Sequence, residues 1–204
     1  MATNWPNSVQ TFTNPTSGSA LNSPSHADQH ATVNDTVEAL QNYAGLVFVK
    51  SVTIGSGVSS VTVTDAFDSR FQNYRIIINA YGSVSAPFTL SLSGVTGSTD
   101  YDSKLFYSAV YASSGLTAVV HASKPEWLLG YINAADGGAG IVDIFRPNED
   151  TRIYFSSRWS SYVAGFADGR TQPTTATSST HFTLGLTSGT YSSGTIRVYG
   201  YNNG

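Results

Sequence analysis

Apolar positions along this 204-residue chain change their spacing once. His26, His30, Val33, Val37, Leu40, Ala44 and Val47 follow alternating steps of four and three, a heptad seam that predicts a single helix. Pro24 precedes a capping candidate, Ser25, and Asp28 three residues on makes something close to a capping box. Gly45 is placed to end the helix, giving a predicted span of 25–45. About twenty residues at ~1.5 Å each cover roughly 30 Å, too short to be stable alone in water, so the helix must pack on something. Its flanks (Asp28, Gln29, Asn34, Asp35, Glu38, Gln41, Asn42) are polar, so the apolar stripe is narrow. That favours parallel association with copies of itself over packing on its own chain, with His30, Val33, Val37, Leu40 and Ala44 as the seam.

From Leu46 onward the period becomes two. "VFVKSVTIG", "VSSVTVTD", "YRIIINAYG", "FTLSLSG", "LTAVVHA", "EWLLGYI", "GIVDIFRP", "TRIYFSSRW", "HFTLGLTSG" and "GTIRVYGY" are short β-type runs punctuated by Gly, Ser, Asn, Asp or Pro, and "KLFYSAVYAS" adds another. Strands without intervening helices predict a mainly β domain over 46–204, an antiparallel jelly-roll-like β-sandwich. The run Ile76, Ile77, Ile78 is expected to be buried on both faces, inside the sandwich or against a neighbouring subunit. "TDYDSKL", "AADGGAG" and "ADGRTQPTTATSST" read as loops, the last long enough to be a functional candidate. No internal repeat points to a propeller or β-helix.

Residues 1–24 are different again. They are rich in Asn, Ser, Thr and Pro, with Trp5, Val9, Phe12 and Leu21 as isolated apolar side chains that cannot build a core together. Two readings stand: a disordered leader, or an extended attachment arm whose side chains plug into pockets on another protein.

Composition narrows the classes. Only 11% of residues are charged while 40% are hydrophobic, which describes an extensive β surface. A net charge of −3 offers no footprint for nucleic acid. No apolar run reaches bilayer length and no signal-peptide pattern opens the chain, so a soluble protein made in a cytoplasm and used outside the cell is expected, without membrane insertion. Without cysteine, disulfides and thiolate metal sites are excluded.

Chemistry has few candidates. His26 and His30 have the spacing of a metal-gripping pair, but residue 27 is Ala and no third ligand follows. Copies of these histidines meeting on a bundle axis could hold a metal, anion or water; otherwise they are polar residues at the top of the seam. Asp136, Asp143, Glu149 and Asp150 are close in sequence but read mostly as loop solvation rather than a hydrolytic pair. No nucleophile elbow and no phosphate-cradling loop is present, so neither an enzyme nor a cofactor is expected. Most aromatics should be core, with Tyr101, Trp159 and Tyr162, beside polar residues, as a candidate glycan platform.

The stretch "FTNPTSGSALNSPSHADQHATVNDTVEALQNYAG" resembles a segment of tailed-bacteriophage virion proteins that leads from an attachment arm into a short helix. Pro15, Ser25, His26, His30, Asn34 and Asp35 stand at its recurrent positions, while Thr36 departs from the usual Ala. The ending "SSGTIRVYGYNNG" is similar to the closing strand of phage β-sandwich domains. This resemblance implies a virion structural protein on the tail or capsid surface: an arm at 1–24 bound to other virion proteins, a helix at 25–45 that oligomerises as a trimer, and an outward-facing head, forming a short fibre such as a tail fibre. A capsid decoration and a glycan-binding module for host attachment are the alternatives.

Overall fold

The computed structural model describes residues 26–43, 45–95, 97–109, 115–161, 163–171 and 178–202. The expected arm, with Trp5, Val9, Phe12 and Leu21, lies outside them, as do Ser25, Ala44 and Tyr162 and the side chains of His26 and Leu40. The chain divides into two compact units, one containing the helix and the other running from Phe48 to Tyr201.

The helix, α1, spans His26–Tyr43, inside the range set by the seam, with Asp28 in its first turn where a carboxylate faces the positive end of the dipole. Gly45, just beyond, has φ +66°, a conformation that costs glycine little. Within the helix Thr32 donates its hydroxyl to the Asp28 carbonyl and Thr36 donates to Thr32, both at 2.8 Å. His30, Val33 and Val37 are exposed.

The remainder is mainly β, in two antiparallel sheets. The strands are β1 (Leu46–Ile54), β2 (Ser60–Val63), β3 (Asn73–Gly82), β4 (Ala86–Leu92), β5 (Tyr101–Ala109) and β6 (Thr117–Lys124), followed by β7 (Trp127–Ile132), β8 (Gly138–Phe145), β9 (Tyr154–Ser160), β10 (Val163–Thr171), β11 (Phe182–Leu186) and β12 (Tyr191–Tyr201). Eight form one sheet in the order β1-β12-β3-β8-β9-β10-β5-β6, and four form the other as β2-β11-β4-β7. Alternation sorts the side chains. Val198, Ile76, Val142, Ser157, Ala167 and Leu105 stand in register across the large sheet on its inner face, and all six are buried. Phe88, Leu90, Phe182, Leu184, Trp127 and Leu129 are buried on the small sheet's strands.

The interior turns on an indole. Trp159 is 3% exposed and stacks on Phe88 with ring centroids 4.8 Å apart and planes at 27°. Gly130, Gly138 and Gly140 surround it, and a Cβ at any of them would run into its ring. The glycines of "AADGGAG" are therefore part strand and part cradle.

Two loop expectations change, and the isoleucine run is buried on one face within the chain. "ADGRTQPTTATSST" is not all loop: Ala167–Thr171 belong to β10, and Gly165 and Gly169 sit where the neighbouring Phe106 and Asp102 carbonyls leave no room for a side chain. "TDYDSKL" likewise enters β5 from Tyr101. In β3, Ile76 and Ile78 are fully buried, whereas Ile77 is only half-buried, on the opposite face.

Candidate functional site

The residues proposed as a glycan platform do not share a surface. Tyr101 is 0% exposed: its ring stands edge-on to Trp127 at 5.2 Å. Its oxygen accepts from the Leu92 amide at 2.7 Å, and its hydroxyl lies 3.2 Å from the Val95 carbonyl. Burial pushes that phenol well above its ordinary pKa. Trp159 is enclosed as described. Both are core residues, a correction with one cause: they fall on the inward phase of β5 and β9, where an apolar ring gains most from leaving water. Tyr162 lies outside the described residues.

The outer face of the large sheet carries what the sequence reading missed. One row across its strands runs Arg197, Ile77, Ile141, Arg158, Phe166, Phe106, Ala118. The next row runs Tyr199, Arg75, Asp143, Ser156, Asp168, Lys104, Val120. A third runs Asn73, Phe145, Tyr154, Arg170, Asp102. Exposed large apolar side chains concentrate here: Ile141, Phe145, Tyr154, Phe166 and Val120, with Leu116 just before β6.

This face is concave in two places. A trough of about 670 Å³ is lined by Ile77, Asn79, Ile141, Arg158, Phe106, Phe166 and Leu116, among others. A second hollow of about 360 Å³ is lined by Tyr154, Asp168, Arg170, Lys104, Asp102 and Val120. β5 and β10 contribute to both, so the two hollows follow the same strands.

Charges are distributed unevenly across it. At one side Arg75 and Asp143 form a bidentate pair at 2.8 Å on both contacts, and the Tyr201 hydroxyl donates to Asp143 at 2.7 Å. Burial, together with that bond to a carboxylate, pushes Tyr201 up to about 12. In the hollows the pattern loosens. Arg170 approaches Asp102 only to 3.9 Å, and the Ser123 amide donates to Asp102 at 3.0 Å. Lys104 stands opposite Asp168 in register, yet its ammonium lies over the Phe106 ring, 5.1 Å from the centroid. Among the described residues, Asp168 and Arg158 have no ion-pair partner. Phe106 and Phe166 stack at 5.1 Å with planes 23° apart, and Phe166 is 44% exposed. Aromatic faces flanked by uncommitted donors and acceptors suit the binding of an amphiphilic ligand.

On β6, His121 stands opposite the buried Ser103, on the inward face of the large sheet. Its Nδ1 is buried without a hydrogen-bond partner among the described residues. Burial, then the nearby Lys124, holds its pKa below the ordinary histidine value. Among the described residues no three His, Asp or Glu side chains gather as a metal site. His30 is exposed on α1, and the side chain of His26 is not described.

Compared with family models and with curated proteins, the chain matches none.

Proposed function

We propose that this chain is a non-enzymatic structural protein of a tailed-bacteriophage particle, a short trimeric fibre anchored by residues 1–24 and bearing a jelly-roll-type head. The observation that carries the reading is on α1: Val33 and Val37, four residues apart on one helix face, are 47% and 45% exposed. Fully burying a valine side chain is worth about 1.5–3 kcal/mol, so half-exposed pairs on three copies supply a real drive to associate. The number three comes from the resemblance of the 12–45 segment to phage virion proteins.

Strand pairing supports the head assignment. β1 lies beside β12, β2 beside β11, β3 beside β8 and β4 beside β7, a nested series. A long hairpin folded over on itself gives that series, which is how a jelly roll is wound. β5, β6, β9 and β10 extend one of its sheets. Joining three arms on one stalk multiplies a weak grip through effective concentration.

Sedimentation equilibrium of the full chain tests the stalk. The expected mass is three chains, falling to one in the Val33→Asp, Val37→Asp double variant with the β spectrum retained; a wild-type monomer would refute the reading. Immunogold labelling of intact particles tests the setting, and unlabelled particles would count against it.

A further inference from the structure

The two hollows on the outer face of the large sheet follow β5 and β10 for some distance. From Asp102 to Ser108 is six residue steps at ~3.4 Å, roughly 20 Å of strand. Along this line the apolar pair Phe106 and Phe166 is bracketed by Arg158 within its own row and by Asp168 and Lys104 in the next. Three features separate this face from an ordinary protein interface. It is hollowed rather than flat. Its exposed rings alternate with charged groups, so a covering apolar surface would strand Arg158 and Asp168 without partners, at high desolvation cost. Its anions, Asp102 and Asp168, nearly balance its cations, Lys104, Arg158 and Arg170, so no strongly charged partner is selected.

A ligand matching this surface needs apolar faces for the rings, and hydroxyls that both donate to Asp168 and accept from Arg158 and Lys104. It must also be extended and nearly uncharged. We infer that the two hollows along β5, β9 and β10 form one binding site for a neutral polysaccharide strand, stacked on Phe106 and Phe166 and hydrogen-bonded by Arg158 in the first hollow and Asp168 in the second. This site does not depend on the stalk or on where the arm attaches. Its proposed contacts, Phe106, Arg158, Phe166 and Asp168, stand on strands that lie outside the nested eight, while β3 and β8 close one side of the trough.

The test passes the full-length chain over immobilised dextran, mannan, galactan and glucan. Retention on at least one is expected, with little change between about 50 and about 500 mM sodium chloride, since the contacts are hydrogen bonds and stacking rather than ion pairs. Phe166→Ala should weaken it tenfold or more and Asp168→Asn several-fold. Both side chains are exposed, so thermal melting should match the wild type. No retention on any of the four matrices overturns the inference, as does retention that neither variant alters. A change in oligomeric mass in Phe166→Ala, without loss of glycan retention, would show instead that the face is covered by a second copy.

Discussion

A Cβ added at Gly140 would overlap the Cε3 edge of the six-membered ring of Trp159, and at Gly138 or Gly130 it would lie 2.8 Å from the same side chain. A packed interior cannot absorb that intrusion without moving the ring off Phe88. Gly140→Ala is therefore expected to cost about 1–3 kcal/mol, read as a lower urea midpoint at unchanged slope. Gly55→Ala, where an added Cβ meets nothing within 4 Å, is the matched control and should change stability by about 0.5 kcal/mol or less. His121 gives a prediction in pH. Its folded pKa lies below the ordinary value of about 6.5, so the unfolded chain takes up the proton first on acidification. The stabilisation is present above the unfolded value and is lost as pH falls through the folded one. Unfolding titrations between pH 7 and 5 should show a falling midpoint that is flatter in His121→Gln, and parallel curves would rule the effect out.

Between residues and the whole lie the strands, and one cluster joins three of them. Arg75 on β3, Asp143 on β8 and Tyr201 on β12 share short hydrogen bonds at the outer face, partly shielded from water. Asp143→Asn removes the charge that holds both partners and is expected to cost about 1–2 kcal/mol, measured by chemical denaturation. The same scale shows what sequence pattern can and cannot reveal. The switch from heptad to alternation located α1 and most strands, because there the inward phase is uniformly apolar, as in Tyr74, Ile76 and Ile78. β10 was hidden. Its inward positions are Gly165, Ala167 and Gly169, small because neighbouring backbone and the Phe155 ring crowd them, and small residues with Asp168 read as a turn. The trough was hidden for a related reason: its members are scattered from residue 77 to residue 166 and become neighbours only through strand register. Aromatic type beside polar neighbours pointed to Tyr101 and Trp159, which are core, because neither a ring's identity nor its neighbours state which phase of the strand it occupies.

At the scale of the molecule, the order of strands matters more than any single contact. Pairing β1 with β12 brings together segments more than a hundred residues apart, so the large sheet closes only when nearly all of the β unit has been made. The four strands outside the nested series sit on one side of that sheet, and they carry most of the hollowed surface. Variation there leaves the nested eight untouched, so a surface can diverge while its support is kept. The first and last strands of the β unit adjoin, with Phe48 and Tyr199 in ring contact at 5.8 Å. A body entered and left at neighbouring points behaves like a cassette: cut at its two seams, it could be spliced onto another carrier, or exchanged between relatives by recombination, with no need to rebuild the path the backbone takes.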